Sequence, residues 1–365
     1  MKCLLLVPLT ILLKNVFCEP EVLLKSGSMR FTTDSNSHRI QSIQDVKYFD
    51  EVLVNGSQLR VLSPDMPVLF EGAFRNMKNL QILQIPRCKI QEIKPKAFMN
   101  LPNLDRIQLQ DNLISRIESN IFNFMNISQL FLHRNKIDFI HSEAFDNMPN
   151  LHTIKLNANQ IRTWDSNWFL DTPKLTDIFI RRNQIWKLEE NAFKNIKKLQ
   201  VGYEENQNST NIYLSKNRIS SIHPQALSEL VRLNDFFLDR NNLTDIPQNL
   251  FAYIESITYL NLRRNKLENL AQYPFPKITR FKTLDLTRNN LKCISENVAT
   301  RVDKILLEDN FIDCECLNQL TKAVKEKGKN NTIVVGDCAP NSEDGTENDE
   351  EEEDEEDEEM EEEEE

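Results

Sequence analysis

The 365 residues would fit two ordinary domains, unless the chain is built from repeats, which add length without adding domains. The net charge of −12 hides a split. Of 56 acidic residues, 19 fall between Glu343 and Glu365, where there is no Lys or Arg, and the body before them is about +5 once Lys2 and Lys14 are set aside with a leader. Only seven glycines argue against Gly-rich phosphate loops, and five histidines scattered over different slots give no metal-ligand spacing.

In chain order, Lys2, the apolar run Leu4–Leu13, and Val16 and Cys18 at the −3 and −1 positions read as a secretory leader over residues 1–18. No later run of about 18 apolar residues follows, so no membrane span is expected. Residues 19–48 are polar and form an N-terminal cap. Within it, Met29–Thr33 and His38–Ile43 predict a hairpin covering the first edge of whatever sheet follows.

From residue 49 a single pattern organises the chain, clearest in Leu151–Trp164. It runs apolar-x-x-apolar-x-apolar-x-x-Asn-x-apolar-x-x-apolar, and a shift of 24 carries Ile154, Leu156 and Asn159 onto Ile178, Ile180 and Asn183. The strand pairs predicted by this pattern are Val52/Val54, Leu83/Ile85, Ile107/Leu109, Leu130/Leu132, Ile154/Leu156, Ile178/Ile180, Ile212/Leu214, Phe236/Leu238, Leu260/Leu262, Leu284/Leu286 and Ile305/Leu307. Alternate apolar residues of each short strand point inward, and the Asn satisfies backbone groups at a buried bend. Phe74, Phe98, Phe122, Phe145, Phe169, Phe193, Phe251 and Phe275 fill the convex side. Two steps are long: Val52 to Leu83, with its excess between Leu62 and Phe74, and Ile178 to Ile212, with an insertion around Gly202–Glu205. The second predicts a loop over one rim of the sheet.

These residues resemble the extracellular leucine-rich-repeat family, that of Slit and Toll ectodomains and secreted arthropod repeat proteins. The resemblance implies an α/β solenoid, a horseshoe with a parallel concave sheet of about eleven strands, over residues 49–312. Asp313-Cys-Glu-Cys316 with Cys338-Ala-Pro340 resembles that family's C-terminal cysteine cap, here residues 313–341, although only one cysteine follows the C-x-C and the N-terminal cysteine cap is absent. Cys293, in the slot that Cys314 occupies on the next turn, is available as a replacement partner. The family pattern implies Cys314–Cys338 and leaves Cys293–Cys316. Stacking of equivalent slots about 5 Å apart favours Cys293–Cys314 and Cys316–Cys338. Cys88 stands in a bend-Asn slot and reads as an inert core thiol. Sequons at Asn55, Asn126, Asn208, Asn242 and Asn330 suit an exported glycoprotein, and a glycan on Asn242 would stand near the concave rim.

Function is expected in the slots that the pattern leaves free. Between the two inward strand residues stand Phe131, Lys155, Phe179, Tyr213 and Phe237, an aromatic stripe on the concave face. The slot just before the bend Asn runs Arg87, Asp111, Arg134, Ala158, Arg182, Lys216, Arg240, Arg264, Arg288 and Asp309, a basic rail to which the preceding column adds His133, Arg181 and Arg263. Arg and aromatics dominate binding hot spots. The expected ligand is an extracellular protein or glycan, with a polyanion on the rail formed by Arg134, Arg182, Arg240, Arg264 and Arg288. Nucleic acid is not expected. Residues 342–365 cannot bury apolar surface and read as a disordered acidic tail that keeps the chain soluble, folds back over the rail or binds calcium weakly. No nucleophile elbow, phosphate loop or paired carboxylates appear, so neither an enzyme nor a cofactor is expected. The resemblance implies innate immunity or matrix adhesion as the setting. The rival reading is a nuclear acidic repeat protein that binds histones.

Overall fold

The computed structural model describes residues 29–33, 36–40, 57–61, 66–196, 209–270, 275–326, 331–336 and 338. The expected leader, Val52/Val54, the insertion around Gly202, the acidic tail and the sequons at Asn55, Asn208 and Asn330 lie outside the described residues.

Among the described residues, twelve strands form one parallel sheet whose order follows the chain. They are β1 (Gln58–Arg60), β2 (Ile82–Gln84), β3 (Arg106–Gln108), β4 (Gln129–Phe131), β5 (Thr153–Lys155), β6 (Asp177–Phe179), β7 (Thr210–Tyr213), β8 (Arg232–Phe237), β9 (Ser256–Asn261), β10 (Arg280–Asp285), β11 (Lys304–Leu306) and β12 (Thr332–Val334). In the three-residue strands β1 to β6 and β11 the central residue is buried and its neighbours are half-buried or exposed, and in the longer β7 to β10 the same inward position falls on Ile212, Phe236, Leu260 and Leu284. The protein is a parallel-strand solenoid, mostly sheet with little helix.

Two expectations change at the ends. Among the described residues the first strand of this sheet is β1, with Leu59 and Val61 fully buried, and Leu59 pairs with Leu83, so the step into β2 is the regular one rather than the long one expected from Val52. The misreading has a simple cause: Leu59-x-Val61 carries the strand alternation but is followed by no bend Asn. At the other end β12 adds a twelfth strand, Ile305 pairing with Ile333, from a segment read as cap alone. The N-terminal hairpin is Met29–Thr33 against Asn36–Ile40, antiparallel with Thr33 opposite Asn36, so its second strand starts two residues earlier than expected. It lies beside β1.

The bend asparagines hold successive turns together. Asn183 is typical: Oδ1 accepts from Ile161 N at 3.0 Å, while Nδ2 donates to Leu156 O of the preceding turn at 3.0 Å and to Ile180 O of its own at 3.3 Å. The same set recurs from Asn112 to Asn310. On the convex side the phenylalanines stack with ring centroids 6.0, 5.8, 6.5 and 5.5 Å apart from Phe74 through Phe98, Phe122 and Phe145 to Phe169. Each fully buried ring contributes roughly 2–3 kcal/mol from removed apolar surface. Trp164 replaces a smaller apolar residue and reaches into this column, 4.7 Å from Phe193, with its Nε1 donating to Ala192 O at 2.6 Å.

Cys88 is fully buried, its amide bonded to Asn112 Oδ1 at 2.9 Å and its Sγ donating to Pro86 O at 3.3 Å and Val61 O at 3.5 Å. The thiol thus reaches one of the preceding turn's carbonyls, as a bend Asn does. Alkylation of the native chain is expected to leave Cys88 unmodified and to label it only after denaturation, read by mass mapping of its peptide; labelling under native conditions would contradict a packed thiol.

The C-terminal end is closed by a short helix α1 (Glu296–Ala299) and by α2 (Cys314–Glu326). Cys316, Leu320 and Val324, spaced by four, form the buried face of α2. The disulfides are Cys293–Cys316 and Cys314–Cys338, with Cα–Cα separations of 5.7 and 5.0 Å. The alternative based on stacked slots fails because Cys314 and Cys316 sit at the start of a helix. Cys316 turns into the core towards Cys293, which leaves Cys314 for the strand side.

Candidate functional site

The concave face is built by the residue between the two inward ones on each turn. The register carries Phe131 onto Lys155, Phe179, Tyr213, Phe237, Asn261 and Asp285. Lys155 does not interrupt the stripe: its Nζ lies 5.1 Å from the Phe131 ring centroid and 5.4 Å from that of Phe179. Phe179 and Tyr213 stack at 4.6 Å with planes 8° apart, and Phe237 meets Tyr213 edge-on at 5.1 Å. All five side chains are half-buried.

Three further residues join this array. Tyr259 packs edge-on against Phe237 at 5.1 Å. Arg181 lies 4.6 Å over Tyr213 and 5.5 Å over Phe237, and Arg106 lies 5.8 Å over Phe131. Reading columns one at a time missed Tyr259 and Arg106, which stand one column before the stripe, and placed Arg181, two positions after Phe179, only with the basic residues beside the rail. Their contacts are diagonal, a neighbour relation that a parallel sheet creates and a linear pattern does not display. Arg106, Lys155 and Arg181 thus each lie over one or two rings of this stretch, a type of contact worth about 0.5–1 kcal/mol each at exposed sites and more when desolvated.

Carboxylates lock the two phenols. Tyr213 Oη donates to Asp235 Oδ2 at 3.0 Å and Tyr259 Oη to Asp285 Oδ2 at 3.3 Å. Burial, and then the adjacent carboxylate, push both phenols well above the ordinary tyrosine range, so they remain neutral donors. Burial also raises Asp239, opposed by the Ser215 Oγ donor at 2.6 Å and by Arg181. Neutral phenols held by acceptors are rigid contact surface rather than proton-transfer groups.

The basic rail has a conformational signature. Every residue of that slot, from Arg87 and Asp111 to Arg288 and Asp309, is left-handed, with φ between 53° and 58°. Its backbone N–H donates to a carbonyl of the next turn, as Arg182 does to Ser215 O at 3.0 Å. The rail is not uniform. Asp111 lies 3.5 Å from Arg87 and 3.9 Å from Arg134, and Arg288 bonds Asp309 at 3.0 Å. Ala158 separates that first group from an unbroken run of Arg182, Lys216, Arg240, Arg264 and Arg288.

Of the described sequons, Asn126 is exposed and accepts from Asn150 Nδ2 at 2.6 Å, whereas Asn242 is half-buried on the flank just past the bend, its amide bonded to Ile219 O at 2.8 Å. Among the described residues no group of three His, Cys, Asp or Glu could hold a metal ion, and no helix is long and apolar enough to cross a membrane.

Two sequence signatures match the chain: a BspA-type leucine-rich-repeat region in six copies over residues 69–200, and a leucine-rich repeat over residues 207–267. Together they cover more than half of it. The chain belongs to the leucine-rich-repeat family. No curated protein matches the sequence. Among solved structures, the Toll–Spatzle complex of Drosophila matches with a TM-score of 0.50 at 21% identity, over 70% of this chain and 31% of that one. The TLR13–ssRNA13 complex matches at 19% identity over 72% of this chain and 41% of that one, with a TM-score of 0.49. A chain of the Latrophilin 3, Unc5D and FLRT2 octamer matches at 18% identity over 72% and 86%, also with a TM-score of 0.49. At these identities the likeness concerns the fold, and the leucine-rich-repeat chain spans about a third of the Toll structure it matches.

Proposed function

We propose that this leucine-rich-repeat protein is a secreted, non-enzymatic recognition module that binds an extracellular protein or glycan on its concave face. The observation that carries the reading is the array Phe131–Lys155–Phe179–Tyr213–Phe237–Tyr259, a rigid run of rings and cations across six consecutive strands. Such a surface offers area without an entropic penalty for ordering it, as binding hot spots do. The rail from Arg182 to Arg288 is the proposed seat for anionic groups of the same ligand. Innate immunity and matrix adhesion are the two settings the resemblance implies, and the Drosophila Toll complex, described as a hub in development and innate immunity, belongs to the first.

Two disulfides support an oxidising compartment and so a leader at residues 1–18, and they weigh against the nuclear, histone-binding reading. The medium of expressing cells decides between them: glycosylated protein there is expected, and unglycosylated nuclear protein would overturn secretion. The site is tested by changing Phe179, Tyr213 and Phe237 to Ser together. Affinity for the partner captured by the purified native chain is expected to fall at least about thirtyfold, with the thermal midpoint followed in parallel to exclude unfolding. Undiminished affinity in a folded variant would move the site elsewhere.

A further inference from the structure

We infer that the acidic segment Glu343–Glu365 docks in cis along the cation row Arg182, Lys216, Arg240, Arg264 and Arg288. The backbone does not explain why this row is basic. Its φ values of 53° to 57° are left-handed, a conformation in which Asn, Asp and Gly are favoured and other residues strained by roughly 1–2 kcal/mol each. The chain nevertheless places five successive cations there. At about 5 Å per strand, the row is a line of positive charge roughly 20 Å long.

The tether starts at the end of that line. Strand β12 pairs with β11 so that Val334 lies opposite Leu306, and Leu307 N donates to Val334 O at 2.8 Å. Two residues on, Gly336 is level with Glu308, which immediately precedes the rail slot of its own turn. Cys338 is then fixed by its disulfide to Cys314. Cys338, the last described residue, thus stands on the turn of β12, one turn beyond that of Asp309, the partner of Arg288. The residues beyond Cys338, through Glu365, could extend to about 90 Å, several times the row's length. Such a tether gives an effective concentration on the order of millimolar. Each exposed ion pair contributes only about 1 kcal/mol in water at 4 Å, so the docking depends on many pairs at once and weakens with salt.

The docked segment would cover the rim beside Phe179, Tyr213 and Phe237 and compete with an anionic ligand. That consequence rests on the recognition reading, but the docking does not, and its test uses no outside ligand. Carbodiimide cross-linking of the full chain, with 14N and 15N chains mixed, is expected to join Lys216 to carboxylates of 343–365 within one chain. A labelled synthetic peptide of residues 343–365 is then titrated against the full chain and against a full-length variant whose acids in that segment are changed to Gln and Asn. The neutralised variant should bind the peptide at least about tenfold more tightly at low salt. Adding Arg240→Ser and Arg264→Ser should remove most of that gain. Equal binding to native and neutralised chains, an unchanged affinity in the rail variant, or cross-links only between chains would each overturn the proposal.

Discussion

Replacing Asn217 by Ala is expected to lower the unfolding free energy by about 3 kcal/mol or more, because the change leaves buried backbone groups of two turns without partners. Asn217 Oδ1 accepts from Ile185 N at 3.1 Å, and its Nδ2 donates to Ile180 O and Leu214 O, both at 3.0 Å. Asn217 also spans the longest step between the described strands, since Ile180 lies 37 residues before it. A loss here removes the polar tie across the insertion as well as the bonds themselves. The measurement is the urea midpoint at constant slope, with Gln160→Ala, an exposed neighbour of a bend, as a control expected to stay within about 0.5 kcal/mol. A shift for Asn217→Ala no larger than the control's would mean that water replaces the amide at this bend.

Changing Cys316 to Ala is expected to cost about 3 kcal/mol through loss of the Cys293–Cys316 crosslink, whose partners are 23 residues apart. The effect should be local as well as global. Leu320 and Val324 of α2 remain packed, but the tie between the helix and the turn carrying Cys293 is gone, so amide exchange should accelerate in α2 and β12 while β3 to β6 keep their protection. Cleavage at Glu315, between Cys314 and Cys316, followed by non-reducing mass mapping checks the pairing directly. Recovery of Cys293 joined to Cys314 would overturn both the pairing and this prediction. Retention of full stability would mean that α2 is held by its apolar face alone.

Most of the solenoid was legible in the sequence because its causes are local and repeat. An inward residue at every second strand position, an amide-bearing residue at each bend and a Phe on the convex side are one-dimensional rules, and Asn112 to Asn310 obey them turn after turn. The rules failed where a turn lacks one of its marks. The turn of Leu59 and Val61 has no bend Asn, and β12 belongs to a turn whose bend is replaced by a disulfide-bound segment. Cys88 shows the opposite case: a residue in the right slot predicted its burial, although its hydrogen bonds are weaker than an amide's.

The sequence by itself determined the repeat, its period, the inward slots, the columns of free positions and the charge split between body and acidic segment. Tertiary structure alone decided how the columns meet. Lys155 falls between two rings, Arg181 lies over Tyr213 and Phe237, and Tyr259 joins from a neighbouring column, because strands about 5 Å apart bring diagonal residues within reach of long side chains. It also decided the disulfide pairing, since only the helical start at Cys314 turns two cysteines of one C-x-C in different directions. The left-handed backbone beneath the basic slot belongs to the same class: it follows from closing each bend against the next turn, a constraint set between turns rather than within one.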